Sequence, residues 1–403
     1  MRAGLSGQGS NSAAVRQFNE RVILSLLRRM GTASKADLAR RANLTANTAG
    51  VIVQELESAG LVRSDGKRQG ERGQPATILR LDPKGAHAIG VKIGRRSLDA
   101  ILVDFSGNIV AQRRRERPFP LPDEAVELLA EDVRALRTGL STERPARLAG
   151  LGIAMPYNMN SWRRELDITS DTLDAWNGFD IAAHMQRATG LEAQVENDGT
   201  AAVVAELFLG RGREISDFLY IFIGSAAGGG VVLGGDYLRG AHGNAGDVGL
   251  MPTSPSRLAT APKPLRRADI VLTRASINSL IRHLRGNGLR IESRADLDVI
   301  LDSGHPAVDT WIEDCVDALV DPVLSAKCIL DVQVVVLDGD LPLTVLKSTA
   351  ENLQREVAAA TPEARQPPAI ILGQVGRQAA AIGAAILPLH LNYSPTRDIL
   401  LGQ

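Results

Sequence analysis

Two groups of polar side chains have the types and spacing needed to recognise a ligand. The first, Glu196-Asn197-Asp198, follows a short apolar run and precedes a helical pattern. An Asn and an Asp held at such a strand-to-helix corner can donate to and accept from the hydroxyls of a small polyol. The second is Asp247, in a loop of otherwise small residues. Together they predict a site for a sugar-like molecule.

The elements around these residues indicate how they are positioned. Asp198 is predicted to be the N-cap of the following helix, where a carboxylate accepts from free amides and complements the helix dipole. Residues 224–230 read as a glycine-rich link between apolar strands at 219–223 and 231–233. Such a link either lets the backbone approach a ligand or simply forms a tight hairpin, and the sequence favours neither.

The first 82 residues show a different pattern. Residues 19–30 and 35–42 have helical periodicity, Ser34 caps the second of these helices, and a third ends at Gly60. Two short strands, at 61–63 and 78–81, flank a basic, glycine-rich loop. Three helices followed by such a hairpin are typical of a winged helix-turn-helix. The alternative is a helical adaptor that does not bind DNA.

In such a head the start of the third helix enters the major groove and reads base edges. The candidates for base contacts are Thr45, Asn47, Thr48 and Gln54. The candidates for phosphate contacts, which supply affinity, are Ser34, Lys35, Arg40, Arg41, Lys67, Arg68 and Arg72. Taken one at a time, each of these charges is better explained as a solvated surface residue than as a DNA contact.

The charge is unevenly distributed although the net charge is zero. Residues 1–82 hold 13 Lys and Arg against 7 Asp and Glu, whereas the remaining chain holds 33 against 39. A basic head on an acidic body indicates that the head contacts a polyanion. The sequence contains no apolar run of about 18 residues, so no membrane span is predicted. Residues 1–12 also lack the apolar segment of a secretion signal. We therefore expect a cytoplasmic protein.

A resemblance to a known family rests on the motifs Glu196-Asn197-Asp198 and Ala245-Gly246-Asp247, on the apolar strand and glycine-rich turn between them, and on Gly152 to Pro156. In this order they resemble the ROK family of sugar kinases and sugar-responsive repressors, over roughly residues 85 to 390. The resemblance implies a two-lobed actin-like ATPase fold, hence an α/β protein. It implies ligand contacts from Tyr157, Asn197, Asp198 and Asp247.

The chain departs from that family's pattern at two places. Where the phosphate-binding motif has an acid followed by small residues, this chain has Lys92 and Arg95. Phosphoryl transfer needs carboxylates for Mg²⁺ and room for the phosphates, so no ATP cofactor is expected. Leu250 replaces the family's zinc-binding His, and the cysteine cluster is missing, so no zinc is expected either. The only cysteines, Cys315 and Cys328, are predicted to be core residues.

We therefore expect a DNA-binding transcriptional regulator of carbohydrate genes, acting as a repressor. Its partners would be double-stranded operator DNA, a small carbohydrate effector and a second copy of the chain, as a homodimer or tetramer. The predicted domains are a disordered tail (1–17), the winged helix-turn-helix (18–82), lobe 1 (83–197) and lobe 2 with the C-terminal helices (198–403). Two alternatives stay open, namely a sugar kinase with an added DNA-binding head and a ligand-independent DNA-binding dimer.

Overall fold

The computed structural model describes most of the chain, and for Lys67, Arg68 and Ser170 it describes the backbone only. The described ranges are residues 12–68, 76–140, 147–156, 170–264, 267–362, 365–396 and 399–400. No helix within these ranges is long and apolar enough to cross a membrane.

Residues 12–68 and 76–81 form the head, a three-helix unit with a small antiparallel sheet in the order β1-β3-β2. The expected winged helix-turn-helix is therefore confirmed. Its first helix begins at Ser12, inside the stretch for which the sequence predicts a tail. The head comprises α1 (Ser12–Met30), β1 (Ala33–Ser34), α2 (Lys35–Arg41), α3 (Ala46–Ser58), β2 (Val62–Arg68) and β3 (Ala76–Leu81).

Lobe 1 is built on a five-stranded mixed sheet in the order β6-β5-β4-β7-β8. Strand β5 is buried along its whole length, and β7 is entirely apolar and mostly buried, as expected for a sheet covered on both faces. Lobe 1 comprises β4 (His87–Ile93), β5 (Ser97–Asp104), β6 (Ile109–Glu116), α4 (Pro122–Thr138), β7 (Leu148–Met155), α5 (Ser170–Ala175), α6 (Ile181–Thr189) and β8 (Ala193–Asn197).

Lobe 2 repeats this plan with a five-stranded sheet in the order β11-β10-β9-β14-β15. Its strands and helices are α7 (Asp198–Leu209), β9 (Phe218–Ile223), β10 (Ala227–Leu233), β11 (Asp236–Tyr237), β12 (Pro252–Thr253), β13 (Asp269–Ile270), α8 (Val271–Arg274), α9 (Ile277–Gly286), α10 (Arg294–Asp302), α11 (Pro306–Leu330), β14 (Val334–Gly339), α12 (Leu343–Ala360) and β15 (Ala369–Leu372). The chain ends in α13 (Ala379–Tyr393). Two such lobes confirm the expected actin-like architecture.

Helix α13 packs against both α7 and the lobe 1 sheet, through strands β4 and β7. Two glycines make this close approach possible. A Cβ on Gly383 would lie 1.6 Å from the carbonyl oxygen of Ala201 in α7, and one on Gly152 would lie 1.9 Å from the carbonyl oxygen of Ala384. The predicted division at residue 198 did not anticipate that the last helix lies on lobe 1.

Two local predictions are wrong. Cys315 is buried as expected, but Cys328 is exposed because it lies on the solvent-facing side of α11. The glycines at 228–230 do not form a link between strands, because they lie inside β10 and pair in register with residues 220–222 of β9. The turn itself is confined to residues 224–226.

Candidate functional site

A cavity of about 250 Å³ opens between the two lobes, at the start of α7. Lobe 1 contributes the end of β4 and the turn after it, and lobe 2 contributes β10 and the loop that follows β11. The polar side chains in its wall are Lys92, Arg95, Asn197, Asp198, Ser225, Asn244, Asp247, Asp340 and Arg377. Three of the four predicted ligand contacts are thus brought together in one place.

A chain of amide hydrogen bonds organises the polar corner of this cavity. The Nδ2 of Asn197 donates to Oδ1 of Asn244 (3.0 Å), whose own Nδ2 donates to Oδ2 of Asp247 (3.0 Å). The Oδ1 of Asn197 accepts from the backbone amide of Gly199 (2.7 Å). Asn244 therefore links the two halves of the predicted site, and the sequence analysis missed it. Its one signal was an amide three residues before Asp247.

The helix cap differs from the prediction. Asn197 (φ −57°, ψ 143°) is the N-cap of α7, and Asp198 is the first residue of the helix. The prediction that Asp198 caps the helix is wrong, because the side chain of Asn197 accepts from the free backbone amide of Gly199 at the helix start. Asp198 nevertheless lies where the helix dipole favours negative charge, and it lines the cavity. Its carboxylate is therefore placed to accept from a ligand and not from the helix.

Two carboxylates share this corner. Burial raises the pKa of the Asp247 carboxyl above its usual value, and the neighbouring Asp198 carboxylate raises it further, against the opposing hydrogen bond from Asn244. Both groups can bind a ligand that brings hydroxyl donors, because hydroxyl groups can donate to each carboxylate. The corner thus favours a ligand with adjacent hydroxyls.

Positively charged side chains also line the cavity. Lys92 is the next-to-last residue of β4. Arg95 lies in the turn after the strand, where the backbone amide of Gly94 donates to the carbonyl of Ser97 (2.9 Å). Arg377 also faces the cavity and pairs with Asp340. Within the described ranges, no group of three or more His, Cys, Asp or Glu residues is arranged to hold a metal ion.

Two predicted features of the cavity need separate mention. Tyr157 lies outside the described residues, although Pro156, the residue before it, lines the cavity. Its contact with a ligand stays a prediction. Leu250, which replaces the family's histidine, is 49% exposed and also lines the cavity.

The base-reading candidates lie on the solvent-facing side of α3. Asn47, Thr48 and Gln54 are exposed, whereas the opposite face of the helix, with Ala49, Ile52, Val53 and Leu56, is buried in the head. The N-cap Thr45 accepts from the backbone amide of Thr48 (3.1 Å), and the two hydroxyls lie 2.8 Å apart. The Thr45 and Thr48 hydroxyls thus contact each other, whereas the side chains of Asn47 and Gln54 project from α3 into solvent.

The phosphate candidates differ in their surroundings. Ser34 is buried and forms a capping box with Asp37, to which its hydroxyl donates (2.8 Å). Lys35 is exposed, and its ammonium lies 3.9 Å from the Glu57 carboxylate. Lys67 and Arg68 lie in β2 with only their backbone described, and Arg72 lies outside the described residues. Their contacts with DNA stay predictions.

Helix α1 joins the head to the body, the two lobes taken together. Nη1 of Arg21 donates to the carbonyl oxygens of Leu391 (2.9 Å) and Ser394 (3.2 Å), at the end of α13. Nη2 of Arg29 lies 3.3 Å from the Ser216 hydroxyl. The apolar side chains of α1 share one continuous core with α7 and α13. The head is therefore packed on the same two helices that begin at the cavity.

Comparison with known proteins places these features in a family. The ROK family model matches residues 88–390, and the model for winged helix-turn-helix DNA-binding matches residues 19–63. The protein y4fQ of Sinorhizobium fredii is 27% identical over 92% of this chain and 90% of its own length. The xylose repressor of Bacillus subtilis is 23% identical over 59% of this chain and 61% of the repressor. The DNA-binding transcriptional dual regulator NagC of Escherichia coli is 22% identical over 63% and 62%.

Solved structures show the same fold at lower identity. A ROK family transcriptional regulator, a homologue of the E. coli MLC protein, covers 97% of this chain and 100% of its own with a TM-score of 0.68 and 19% identity. A ROK family glucokinase from Streptomyces griseus covers 75% and 99% with a TM-score of 0.56 and 22% identity. The shorter match of the kinase leaves out part of this chain. Because the family match spans most of the sequence, this chain belongs to the ROK family and carries a winged helix-turn-helix head.

Proposed function

We propose that this protein is a DNA-binding transcriptional regulator, acting as a repressor of carbohydrate genes in the cytoplasm and controlled by a small sugar-like effector in the cavity between its lobes. The observation that carries the proposal is the packing of the head's α1 on α7 and α13, the two helices that begin at that cavity. Relatives named as xylose and N-acetylglucosamine repressors support it.

The two helices offer a physical route from effector to DNA. Helix α7 starts beside Asn197 and ends near Phe208, whose ring lies against Arg28 of the head. Helix α13 starts beside Ala380, which lines the cavity, and its last turn accepts hydrogen bonds from Arg21. At about 1.5 Å per residue, α7 spans about 18 Å as a rigid rod. A ligand that closes the lobes can therefore tilt the head.

Control of DNA binding also needs two heads. We propose a homodimer, or a tetramer built from dimers, since two winged helices must match half-sites about 34 Å apart or a multiple of this. Tilting each head changes that separation, and a ligand acts only through its different affinity for the two arrangements. Operator DNA must then weaken effector binding by the same factor as the effector weakens DNA binding.

We further propose that the cavity binds without turnover. A phosphoryl-transfer site requires carboxylates to position Mg²⁺ at the phosphates. The end of β4 instead presents the ammonium of Lys92 to the cavity, and Arg95 lies in the turn that follows. These cations favour an effector with a negative group, such as a sugar acid or a sugar phosphate, over a neutral sugar.

The direct test is fluorescence anisotropy with promoter fragments from the protein's own genomic neighbourhood, at several salt concentrations. We expect tight binding to at least one fragment, with log Kd rising linearly with log salt. Sugars, sugar acids and sugar phosphates are then added one at a time, and one of them should change the Kd at least tenfold. Absence of any salt-sensitive binding would refute the assignment as a DNA-binding regulator.

Two further measurements separate the alternatives. A coupled assay with ATP, Mg²⁺ and the same panel should show no turnover, and turnover would support the sugar kinase. A ligand at about 100 times its Kd should stabilise the fold by about 2.7 kcal/mol. If no compound stabilises the protein while operator binding persists, the ligand-independent DNA-binding dimer is the correct reading.

A further inference from the structure

A second cavity lies between the head and the body, about 200 Å³ in volume and away from the interlobe cavity. Helix α1 forms one wall, and the ends of α7 and α13 together with the turn before β11 form the others. Its lining includes Ser25, Arg28, Arg29, Asp236, His390 and Ser394. We call it the junction cavity.

Arg28 is the unusual residue of the junction cavity. It is only 8% exposed, and its guanidinium carbon lies 5.0 Å from the ring centre of Phe208 and 5.6 Å from that of Phe105. Neither Nη1 nor Nη2 has a hydrogen-bond partner among the described residues. Burial lowers the pKa of Arg28 to about 10, so the side chain is still charged at neutral pH. The aromatic rings attract the cation but supply no oxygen acceptor for these N–H groups.

His390 is the second unsatisfied group in the wall. Its Nε2 lies 3.2 Å from Oδ1 of Asp236, whereas its buried Nδ1 has no partner among the described residues. A histidine that donates to a carboxylate through Nε2 can also donate from Nδ1 when it is protonated. Among the described residues, Asp236 contributes the carboxylate of this wall, and its pairing with His390 reduces its repulsion of an anion.

We propose that the junction cavity is a binding site for a small oxyanion, a phosphate or a carboxylate group, held by the N–H groups of Arg28 and Nδ1 of His390. Buried charges in proteins are almost always paired, because an unpaired one costs several kcal/mol. The planar guanidinium matches two oxygens of one phosphate or carboxylate. A volume of about 200 Å³ is below the range of about 300 Å³ and more that drug-sized ligands occupy, so the cavity suits a small ion.

The site would act as a clamp between the head and the body. Arg28 belongs to α1 of the head, whereas His390 belongs to α13 of the body. An anion that both residues bind bridges the two units at the point where the head would tilt. The proposal is independent of the sugar site, because none of the groups involved lines the interlobe cavity.

The test is isothermal titration of the full chain with inorganic phosphate, at constant ionic strength maintained with chloride. We expect saturable binding of one phosphate per chain. Arg28→Met should weaken it by about 100-fold or more, because two charge-assisted hydrogen bonds are lost. Arg28→Lys keeps the charge but loses the planar pair of N–H donors, so its phosphate affinity should lie between those of the wild type and Arg28→Met. Arg63→Met, a substitution of an exposed arginine of the head, is the matched control and should bind like the wild type.

Two outcomes would overturn the proposal. If phosphate binds the Arg28→Met variant as tightly as the wild type, or if its binding does not saturate, it binds only non-specifically. Asp398 lies outside the described residues, but it follows the cavity residue Ser394 closely in the chain. If Asp398→Asn binds phosphate at least tenfold more tightly than the wild type, the chain's own carboxylate fills the cavity. His390→Gln provides a second variant and should weaken binding, because the Nδ1 donor is lost.

Discussion

Replacing Arg274 by Met should loosen lobe 2 locally, and the two cysteines of the chain can report it. Arg274 is 2% exposed and donates from Nη2 to Oδ1 of Asp314 (2.7 Å) and Oδ2 of Asp317 (2.8 Å). Its Nη1 donates to the carbonyl oxygen of Ser254 (2.8 Å). The guanidinium thereby fastens the loop after β12 to helix α11, in the stretch where the family resemblance would have placed zinc.

The expected loss of local stability follows from the buried polar groups that the substitution leaves without the guanidinium. Met fills much of the volume, but the Ser254 carbonyl loses the guanidinium as a donor, and among the described residues the buried carboxylate of Asp314 keeps only the Ser256 hydroxyl (2.8 Å). Removing one partner of a buried ion pair costs about 3 to 5 kcal/mol. Because the Asp317 side chain is 48% exposed, water can replace its share, so we expect the lower end, about 3 kcal/mol. That energy corresponds to an opening about 100-fold more frequent.

Cys315 is the natural probe because it follows Asp314 and is completely buried, whereas Cys328 is exposed. Burial also raises the pKa of the Cys315 thiol, which keeps it unreactive in the closed structure. In the wild type, a thiol reagent such as dithionitrobenzoate should react at once with Cys328 and slowly with Cys315. In Arg274→Met the slow phase should accelerate about 100-fold.

The control is Arg290→Met, since Arg290 and its partner Glu292 are both largely exposed and their pair contributes little. Its slow phase should match the wild type. A double variant Arg274→Met, Asp314→Leu removes the stranded carboxylate as well and should recover part of the protection. If Cys315 in a folded Arg274→Met protein reacts within threefold of the wild-type rate, the network is not what holds α11 to the loop.

Three other predictions concern the head, the cavity and pH. Asn47→Ala should weaken operator binding by about 1 to 3 kcal/mol at unchanged salt slope, whereas Lys35→Ala should lower the slope by about one, as anisotropy at several salt concentrations can show. Asp198→Asn should weaken effector binding about tenfold or more, by calorimetry, because a charged acceptor is lost. Burial alone would raise the pKa of Asp132, but hydrogen bonds from Arg115 and Arg113 hold it below the usual 3.8. The ion pairs of Asp132 therefore stabilise the fold fully above pH 3.8, and this stabilisation is lost as the pH falls through the lower pKa of the folded state. Asp132→Asn should therefore lower the thermal midpoint at pH 7 and converge with the wild type in acid.

Each of these three has a clear contrary result. An Asn47→Ala protein with unchanged affinity for every operator sequence would remove α3 from base recognition. Equal effector affinity in Asp198→Asn would move the ligand away from the start of α7. A gap between wild type and Asp132→Asn that is constant from pH 7 to pH 3 would show that the Asp132 charge does not contribute to stability.

The head was predictable from the sequence because its signals act within one or two helical turns. Apolar spacing decides which face of α3 is buried, and the Ser34 capping box joins residues only three apart. The alternation of strands and helices in the two lobes, and the grouping of Asn197, Asp198 and Asp247, followed in the same way from local pattern and from the family resemblance. These features needed no knowledge of the tertiary structure.

The tertiary structure decided everything that depends on partners distant in sequence. Asn244 joined the site because it bonds to Asn197, 47 residues away, and the head docks through Arg21 on Leu391, 370 residues away. Arg28 has the sequence context of an ordinary basic helix residue, yet the rings of Phe105 and Phe208 bury it. Periodicity and capping report the environment within a turn of the backbone, whereas burial and pairing are set by which surfaces pack together, and only the folded chain brings those surfaces into contact.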